Sequence, residues 1–407
     1  MKRVVITGAG TVNALAPDVA GTLEAFREGR VAIGPLDFPE VERLSISIGG
    51  QIHDWDAGAR HSRSELALYD RVTQFALESA RQAMVQSGLA QAGLEIDDAL
   101  ALASGVVLGT GGGGLNTMDE NYRALHAEGK NRVHPFTIPR LMHNAAAAHI
   151  AMRYGLKGPT FTVATACASS NHAMGLAFQM VRSGAMRAVL TGGAEASLCF
   201  GGIKAWEGLR VMSPDGCRPF CATRNGMVQG EGAAVFVFEE YENARARGAD
   251  ILAEVAGFSM TSDAGDIVLP DRDGAVRAMR GALADAGLTP GDIGYVNAHG
   301  TATTANDRIE AAALAEVFGP ALAGLPVSST KSMHGHLIGA TGAVELLAAI
   351  LALREGVIAP TMGFRQQDPD CPLDMVPNAA REGRVSAALS NAFAFGGMNA
   401  CLALRGV

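Results

Sequence analysis

Residues 161–182 read FTVATACASSNHAMGLAFQMVR, and this stretch decides the fold. Its first five residues are apolar or β-branched, which predicts a short buried strand at 161–165. Apolar residues then recur at helical spacing, which predicts a helix at 168–182. A strand that leads directly into a helix is the basic unit of a layered α/β protein, in which helices cover a central sheet.

The same alternation of strand and helix continues along most of the chain. The predicted strands are continuous apolar runs, which is typical of a sheet covered by helices on both faces. No short sequence repeat is visible, but the two halves follow a similar order, and the best seam lies near residues 248–250. We predict further strands at 2–7, 102–108, 187–190, 233–238, 251–258, 293–296, 327–329, 385–389 and 400–404, and helices at 19–27, 65–84, 242–247, 274–286, 309–318 and 339–354.

The composition argues against several classes of protein. The chain has 407 residues and a net charge of −8, which is unlike a general nucleic-acid binder. No apolar run reaches the ~20 residues needed to cross a bilayer, so we expect no membrane span. The first ten residues lack the apolar region of a signal peptide, and six cysteines over this length are no disulfide scaffold. We therefore expect a cytoplasmic protein with reduced thiols.

Cys167 lies where the strand of the opening stretch gives way to the helix. The first turn of a helix has free backbone N–H groups and a partial positive charge. That environment favours a thiolate and suits a covalent nucleophile. The alternative is a buried, unreactive cysteine, which is the commoner case.

Two later segments carry histidines. Residues 297–310, NAHGTATTANDRIE, place His299 at the end of a predicted strand, at the sheet edge where ligands bind in such folds. The alternative for this histidine is a surface or capping role. Residues 328–345, SSTKSMHGHLIGATGAVE, contain Lys331, His334 and His336. No cysteine or carboxylate lies at ligand spacing around these histidines, so we predict no metal site.

Two glycine-rich segments complete the set. In residues 391–399, NAFAFGGMN, the glycines can bring backbone N–H groups close to a ligand. Residues 109–115, GTGGGGL, lack the acidic residue that follows in a dinucleotide-binding fold, which argues against nucleotide binding.

Taken together, these segments resemble the β-ketoacyl-acyl-carrier-protein synthases of the thiolase superfamily, over essentially the whole chain. TACASS, NAHGTAT, KSMHGH and NAFAFGG carry the resemblance. It is closest to the synthase II type, and SSNHAMGLAFQMVRSG with KSMHGH looks like a specialised nodulation- or polyene-type member. The resemblance implies a duplicated five-layered αβαβα fold of the thiolase type. Its N-terminal half would span residues 1–249 and its C-terminal half residues 250–407.

The resemblance also implies a catalytic set. Cys167 would accept the acyl group, and His299 and His336 would both donate to the thioester oxygen of the malonyl substrate as it loses CO2. Lys331 would act through a buried network with carboxylates, whereas His334 stands where relatives often have threonine and receives no role. The implied carboxylates of this network are Asp307, Glu310 and Glu345.

The binding groups follow from the same resemblance. The backbone N–H groups of Cys167 and Phe395 would hold the oxyanion of acyl transfer. Thr301 and Thr303 would hydrogen-bond the phosphopantetheine arm that carries the substrates. No metal and no redox cofactor would be needed.

Departures from the family pattern bear on the substrate. Relatives often have a bulky residue in place of Gly112, so we expect extra room for long or unsaturated acyl chains. Trp206 is expected in the wall of the same pocket, with ordinary core packing as the alternative. In the gate loop, Ala394 replaces a usual glycine and Met398 a usual threonine, which predicts a stiffer loop.

The expected partner is an acyl carrier protein. Such carriers are acidic, and the candidate basic contacts are Arg63, Lys130, Arg132 and Arg210. A homodimer is expected, with the strands at 161–165 near its two-fold axis. A heterodimer with a chain-length-factor-type subunit is the alternative.

Two other functions were compared with this one. A non-catalytic chain-length-factor-type subunit would share the fold but lack the nucleophile, and here the cysteine and both histidines are present. A coenzyme A thiolase would need a second cysteine in a C-terminal glycine loop, and Cys371 and Cys401 lie outside NAFAFGG. The sequence therefore favours a condensing enzyme.

Overall fold

The computed structural model describes residues 1–89 and 97–407, and within them one ten-stranded sheet dominates. Two further pairs of short strands lie outside it. The strands are β1 (Val4–Asn13), β2 (Gly34–Pro35), β3 (Ile48–Gly49), β4 (Ser104–Gly109), β5 (Thr160–Val163), β6 (Ala188–Glu195), β7 (Gly232–Glu240), β8 (Ala253–Ser262), β9 (Tyr295–Asn297), β10 (Val327–Ser328), β11 (Val357–Ile358), β12 (Arg381–Glu382), β13 (Ala387–Ala394) and β14 (Met398–Arg405).

Helices cover both faces of this sheet. Those in the described residues are α1 (Val19–Glu28), α2 (Arg63–Leu66), α3 (Arg71–Ser87), α4 (Asp98–Leu102), α5 (Leu115–Tyr122), α6 (Thr137–Leu141), α7 (Ala145–Tyr154), α8 (Ser169–Arg182), α9 (Phe200–Leu209), α10 (Tyr241–Ala246), α11 (Arg272–Ala286), α12 (Thr304–Phe318), α13 (Lys331–His334) and α14 (Thr341–Glu355). None of them is both long enough and apolar enough to cross a membrane.

The large sheet consists of two five-stranded halves with the same topology. From its outer edge inward, the first half runs β5-β4-β6-β7-β1 and the second runs β10-β9-β13-β14-β8. In each half the outer three strands are parallel, and the next two are antiparallel to their neighbours. The halves meet where β1 pairs with β8. The predicted duplication is confirmed.

The helices form three layers around the two halves of the sheet. Helices α3 and α7 cover the outer face of the first half, and α11 and α12 cover that of the second. Helices α8 and α14 lie between the halves and contact each other. The expected five-layered αβαβα arrangement is therefore correct. We propose that the two halves divide at residues 249 and 250, between α10 and β8.

One predicted helix is interrupted. The sequence predicted a single helix at 65–84, but α2 ends at Leu66 and α3 begins at Arg71. Between them Asp70 caps α3, because its carboxylate accepts the N–H of Val72. The same carboxylate accepts the N–H and hydroxyl of Thr117, a long-range contact that local periodicity does not reveal. Six of the described helices were not predicted: α4, α5, α6, α7, α9 and α13.

Two glycines let α3 lie directly on β1. A Cβ atom at Gly8 would lie 2.1 Å from the carbonyl oxygen of Ala83, and one at Gly10 would lie 2.0 Å from that of Ser79. Both oxygens belong to the backbone of α3, so a side chain here would push the whole helix away. This contact fixes the outer helix layer of the first half.

The change Gly10→Ala should therefore destabilise the protein by about 1–3 kcal/mol, the usual effect of overpacking a core. Gly208→Ala is the matched control, because Gly208 lies in exposed α9 with open space around its Cα. The control should raise stability by about 0.5–1 kcal/mol, since alanine favours the helix. Denaturant unfolding midpoints measure both, and equal midpoints for the two variants would contradict this packing.

Candidate active site

Cys167 lies on a strained turn between β5 and α8. It occupies a short 3-10 turn, Ala166–Ala168, and Ala166 has a φ of 48°, which non-glycine residues rarely adopt. The hydroxyl of Ser169 stabilises this turn. It accepts the N–H of Thr165 at 2.8 Å and donates to the carbonyl oxygen of Ala166 at 2.7 Å. The sulfur is thus held at the start of α8, as the sequence predicted.

A matching turn precedes α14 in the second half. It spans Ile338–Ala340, and Ile338 has a φ of 44°. The hydroxyl of Thr341 donates to the carbonyl oxygen of Ile338 at 3.0 Å and lies 2.7 Å from Nδ1 of His336. Nε2 of His336 is buried and has no hydrogen-bond partner among the described residues. The histidine is therefore held through one nitrogen, and the other is unoccupied.

The thiol and two histidines form one compact cluster. The Sγ atom of Cys167 and one ring nitrogen each of His299 and His336 all lie within 4.8 Å of one another. The two imidazole rings are 5.6 Å apart and nearly perpendicular. Such a set could also hold a metal ion, and the prediction that the site works without one stays a prediction.

A cavity of about 180 Å³ opens onto this cluster. The rings of Trp206 and Phe395 stack in its wall at 5.8 Å. Thr301 and Thr303 also lie in the wall, with their hydroxyl oxygens 2.9 Å apart. The described lining is Cys167, Trp206, Val211, Met227, Val268, Leu269, Pro270, His299, Thr301, Thr303, Ala305, Asn306, His336, Phe393, Ala394 and Phe395.

Glu310 fixes the backbone at His299. Its carboxylate accepts the N–H groups of His299 and Gly300, both at 2.8 Å, and the side-chain amide of Asn391. Gly300 has a φ of 37°, and a Cβ there would lie 2.6 Å from Cβ of Ser329. The loop that presents His299 is therefore held by a buried carboxylate on α12.

Lys331 is fully buried and pairs with one of its three predicted partners. Its Nζ donates to Glu345 at 2.7 Å. Glu310 also belongs near this pair, because burial raises its pKa and the charge of Lys331 acts to lower it. Asp307 has other direct partners: its carboxylate accepts the backbone N–H of Phe220 and faces Arg224 at 3.6 Å. A buried ammonium needs a partner close by, and Glu345 on α14 meets that need.

Burial sets the protonation of both histidines. It lowers the pKa of His299 and of His336 well below the ordinary value, and the charge of Lys331 lowers both further. Both imidazoles are therefore neutral near pH 7.

Burial shifts the pKa of the nucleophile in the opposite direction. It raises the pKa of the Cys167 thiol to about 11, although Lys331 and the backbone N–H groups of Phe395 and Cys167 act to lower it. The expectation that the helix terminus favours a thiolate was therefore wrong for the resting site. The loss of water around the sulfur outweighs the nearby positive charges. The two N–H groups expected to hold an oxyanion both interact with this sulfur.

The room expected beside Gly112 is occupied. A Cβ atom there would lie 2.4 Å from Cδ1 of Leu115 and 3.3 Å from Oε1 of Glu195. Gly112 is also absent from the described cavity lining. The glycine makes space for these neighbouring side chains rather than for a longer acyl chain, so that expectation needs correction.

The sequence motifs did not identify Glu195 as a residue of the site. Its buried carboxylate accepts the N–H groups of Gly111 at 2.6 Å, Gly112 at 3.1 Å and Gly339 at 3.1 Å. Burial raises its pKa to about 7, against the lowering by those three N–H groups. The carboxylate thus ties the glycine-rich loop of the first half to the turn after His336. The signal available in the sequence was the position of this acidic residue at the end of a strand, shortly after Gly192 and Gly193.

His334 has a structural place. It is buried, with Nδ1 2.8 Å from the carbonyl oxygen of Gly335 and Nε2 3.0 Å from the hydroxyl of Thr330. Both nitrogens are occupied and it does not line the described cavity, in keeping with the absence of a predicted role.

The four candidate carrier contacts are all exposed. Arg63 begins α2, and Lys130 is paired with Glu128 at 2.6 Å. Arg132 follows on the same exposed segment. Arg210 directly follows α9, one helical turn after the cavity residue Trp206, and has no ion-pair partner among the described residues.

The chain is similar to known proteins in sequence and in fold. The model of the beta-ketoacyl synthase N-terminal domain matches residues 1–244, and that of the C-terminal domain matches residues 252–365. Nodulation protein E of Rhizobium sp. (strain N33) is 46% identical over 411 residues, covering 100% of both chains. The 3-oxoacyl-[acyl-carrier-protein] synthase 2 of Staphylococcus aureus (strain N315) is 38% identical, covering 99% of this chain and 98% of the relative. The solved structure of the ishigamide ketosynthase/chain length factor has a TM-score of 0.94 and 34% identity, covering 100% of this chain and 99% of that one.

The protonated state of the thiol can be tested by alkylation. The rate constant for Cys167 with iodoacetamide should rise about tenfold per pH unit between about pH 7 and 9.5, because only the thiolate reacts. The rate in Cys167→Ala, which retains the other five thiols, serves as the background. A rate that levels off near pH 8 would show that the thiol ionises far more easily than its burial implies.

Proposed function

We propose how the site works from the premise that this chain belongs to the β-ketoacyl synthase family, as the motifs of the sequence had indicated. The protein is an acyltransferase that forms carbon–carbon bonds. It condenses an acyl group with a malonyl group on an acyl carrier protein, in fatty-acid or specialised chain elongation. The observation that carries its mechanism is the cluster of one thiol and two neutral imidazoles at the cavity.

Acyl transfer is assigned to Cys167. Sulfur is both a good nucleophile and a good leaving group, so it can take an acyl group from one thioester and release it to a carbanion. The tetrahedral oxyanion of this step needs fixed donors, and we assign the backbone N–H groups of Cys167 and Phe395. Donors of this kind are each worth about 2.7–4 kcal/mol.

Condensation is assigned to the two histidines. When the malonyl group loses CO2, negative charge builds on its thioester oxygen. A neutral imidazole can donate an N–H to that oxygen, and His299 and His336 border the space where it would lie. Burial keeps both rings neutral, and the charge of Lys331, which is paired with Glu345, acts in the same direction.

The substrates arrive on the phosphopantetheine arm of the carrier. Thr301 and Thr303 line the cavity with adjacent hydroxyls, which suits the amide groups of that arm. Every step uses groups of the chain itself, so we propose that no further cofactor takes part. We also propose a cytoplasmic location, because all six cysteines carry free thiols.

We assign the binding of a second protein chain to the edge of the sheet that β5 forms. No strand pairs with its outer side in the described residues, and an open edge invites pairing with another chain. Large apolar side chains are exposed on β5 and on the helices before it: Phe136, Ile138, Met152 and Phe161. We propose that this surface pairs with a second copy or with a chain-length-factor-type subunit.

The mechanism predicts that two cysteine variants differ in whether they become acylated. Cys167→Ala should show no gain of acyl mass from an acyl carrier, whereas Cys199→Ala, which removes a buried thiol outside the cavity, should be acylated like the wild type. Intact-mass spectrometry measures both. Acylation of Cys167→Ala, or none in the wild type, would refute the assigned nucleophile.

Carrier docking predicts a charge effect at Arg210. Arg210→Glu should raise the KM for a carrier-borne acyl group roughly 5- to 10-fold with little change in kcat, because surface charges steer encounter. A short pantetheine thioester should react unchanged. Arg384→Glu, at another exposed arginine, is the control. Equal carrier KM values for the two variants would remove Arg210 from the docking surface.

A further inference from the structure

A buried carboxylate links the two halves of the fold beside the active site. Glu195 is the last residue of β6, and its side chain is fully buried. Its Oε2 atom accepts the N–H of Gly111 at 2.6 Å and that of Gly339 at 3.1 Å, and its Oε1 atom accepts the N–H of Gly112 at 3.1 Å. The first and third of these donors belong to the glycine-rich loop of the first half, whereas Gly339 belongs to the turn before α14 in the second half. One side chain therefore holds together a loop and a turn that are far apart in sequence.

The loop and the turn are in direct backbone contact around this carboxylate. A Cβ atom at Gly111 would lie 2.8 Å from Cγ2 of Ile338 and 2.9 Å from Oε2 of Glu195. A Cβ atom at Gly339 would lie 2.3 Å from the backbone nitrogen of Gly111. Because such close packing leaves no slack, a movement of the loop is transmitted to the turn. The position of the turn thus depends on the carboxylate that bonds to both.

This turn also supports a reactive side chain. Thr341 ends the turn, and its hydroxyl lies 3.0 Å from the carbonyl oxygen of Ile338 and 2.7 Å from Nδ1 of His336. The other ring nitrogen, Nε2, has no hydrogen-bond partner among the described residues. The imidazole is therefore oriented by one hydrogen bond, and a shift of the turn would rotate the ring within the site.

The other two reactive groups are held by different contacts. Glu310 accepts the backbone N–H of His299 at 2.8 Å. Ser169 stabilises the turn that carries Cys167. A loss of the link through Glu195 should therefore disturb one histidine more than the other two groups.

We propose that Glu195 is a positioning residue that orients the imidazole of His336 for condensation, by holding the turn after this histidine against the glycine-rich loop. The proposal rests on the function assigned above, in which His336 donates to the thioester oxygen of the malonyl group. Hydrogen bonds weaken steeply when their alignment is lost, so a small rotation of the ring would slow that step. Acyl transfer uses Cys167 and the backbone N–H groups of Cys167 and Phe395, and should depend on Glu195 much less.

Removal of the carboxylate should separate the two steps. Glu195→Ala should slow malonyl decarboxylation roughly 10- to 100-fold in enzyme already acylated on Cys167, because a misplaced donor costs about this much. Acylation of Cys167 should change less than about threefold, since its donors are elsewhere. Single-turnover release of CO2 and time-resolved intact-mass spectrometry measure the two rates.

Two further variants test how the carboxylate acts. Glu195→Gln retains one acceptor oxygen, which can serve Gly111 and Gly339 together as Oε2 does now, so it should restore most of the decarboxylation rate. Gly111→Ala keeps the carboxylate but forces the loop away from the turn, and should reproduce the selective loss. Gly111→Ala also decides the question if Glu195→Ala does not fold.

Glu239→Ala is the matched control for stability. Glu239 lies on β7 opposite Ala188, at the other end of β6 from Glu195. Its buried carboxylate accepts the hydroxyl of Thr7 at 3.0 Å and pairs with Arg247 at 2.6 Å. This variant should lower the denaturant unfolding midpoint and leave the ratio of the decarboxylation rate to the acylation rate unchanged.

The outcomes separate this proposal from the function on which it rests. A wild type that never acylates Cys167, or that releases no CO2 from the malonyl carrier, refutes the function itself. A Glu195→Ala enzyme that decarboxylates at the wild-type rate, or that loses both rates equally, overturns only the role of Glu195. So does a selective loss of the same size in Glu239→Ala, or a loss in Glu195→Ala that glutamine does not reverse.

Discussion

The burial of Cys167, His299 and His336 is the constraint on which the rest of the structure depends. Burial keeps the sulfur protonated and both imidazoles neutral, so the site stores no charged pair at rest. Every polar group that is buried around this cluster then needs a partner within the protein. Glu310 serves the backbone of His299, Glu345 serves Lys331, and Thr341 serves His336. Nε2 of His336 is left without a hydrogen-bond partner among the described residues, and its ring lines the cavity to which the chemistry is assigned.

Much of this was predictable from short segments of sequence. Cys167, His299, Lys331 and His336 each lie within a local motif, and the alternation of strands and helices identified the layered class. Boundaries were less accurate where a distant contact decided them, as at Asp70, whose carboxylate also serves Thr117. The partner of Asp307 and the neighbours of Gly112 depend on packing between remote elements. The prediction of a thiolate at Cys167 was wrong for a related reason. Desolvation of the sulfur depends on the whole folded structure and is not visible in a local motif.

The duplication explains why the site lies where it does. In each half a strained turn leads into a central helix, although in the second half α13 lies between β10 and that turn. The two halves contribute different chemical groups from these equivalent turns. The first half presents the sulfur directly after Ala166, whereas the second has a glycine at the matching position, Gly339, and presents its imidazole from just before the turn. Glu195 links the second of these turns, at Gly339, to the glycine-rich loop of the first half, at Gly111. A side chain at Gly339 would collide with the backbone of Thr110, which lies within 2.7 Å of where its Cβ would be.

The two halves share the central layer formed by α8 and α14, so neither half is an independently packed domain. Helix α8 belongs to the first half by sequence, yet a Cβ at Gly175 would lie 2.2 Å from the ring of Phe258 in the second. Helix α14 presses as closely on α8, with Gly342 against Asn171. If the chain were cut near residue 250, each fragment would expose the apolar face of its central helix to water. Recombination between relatives at this seam would take α8 and α14 from different parents, so it would succeed only where the contacting faces of these two helices remain complementary.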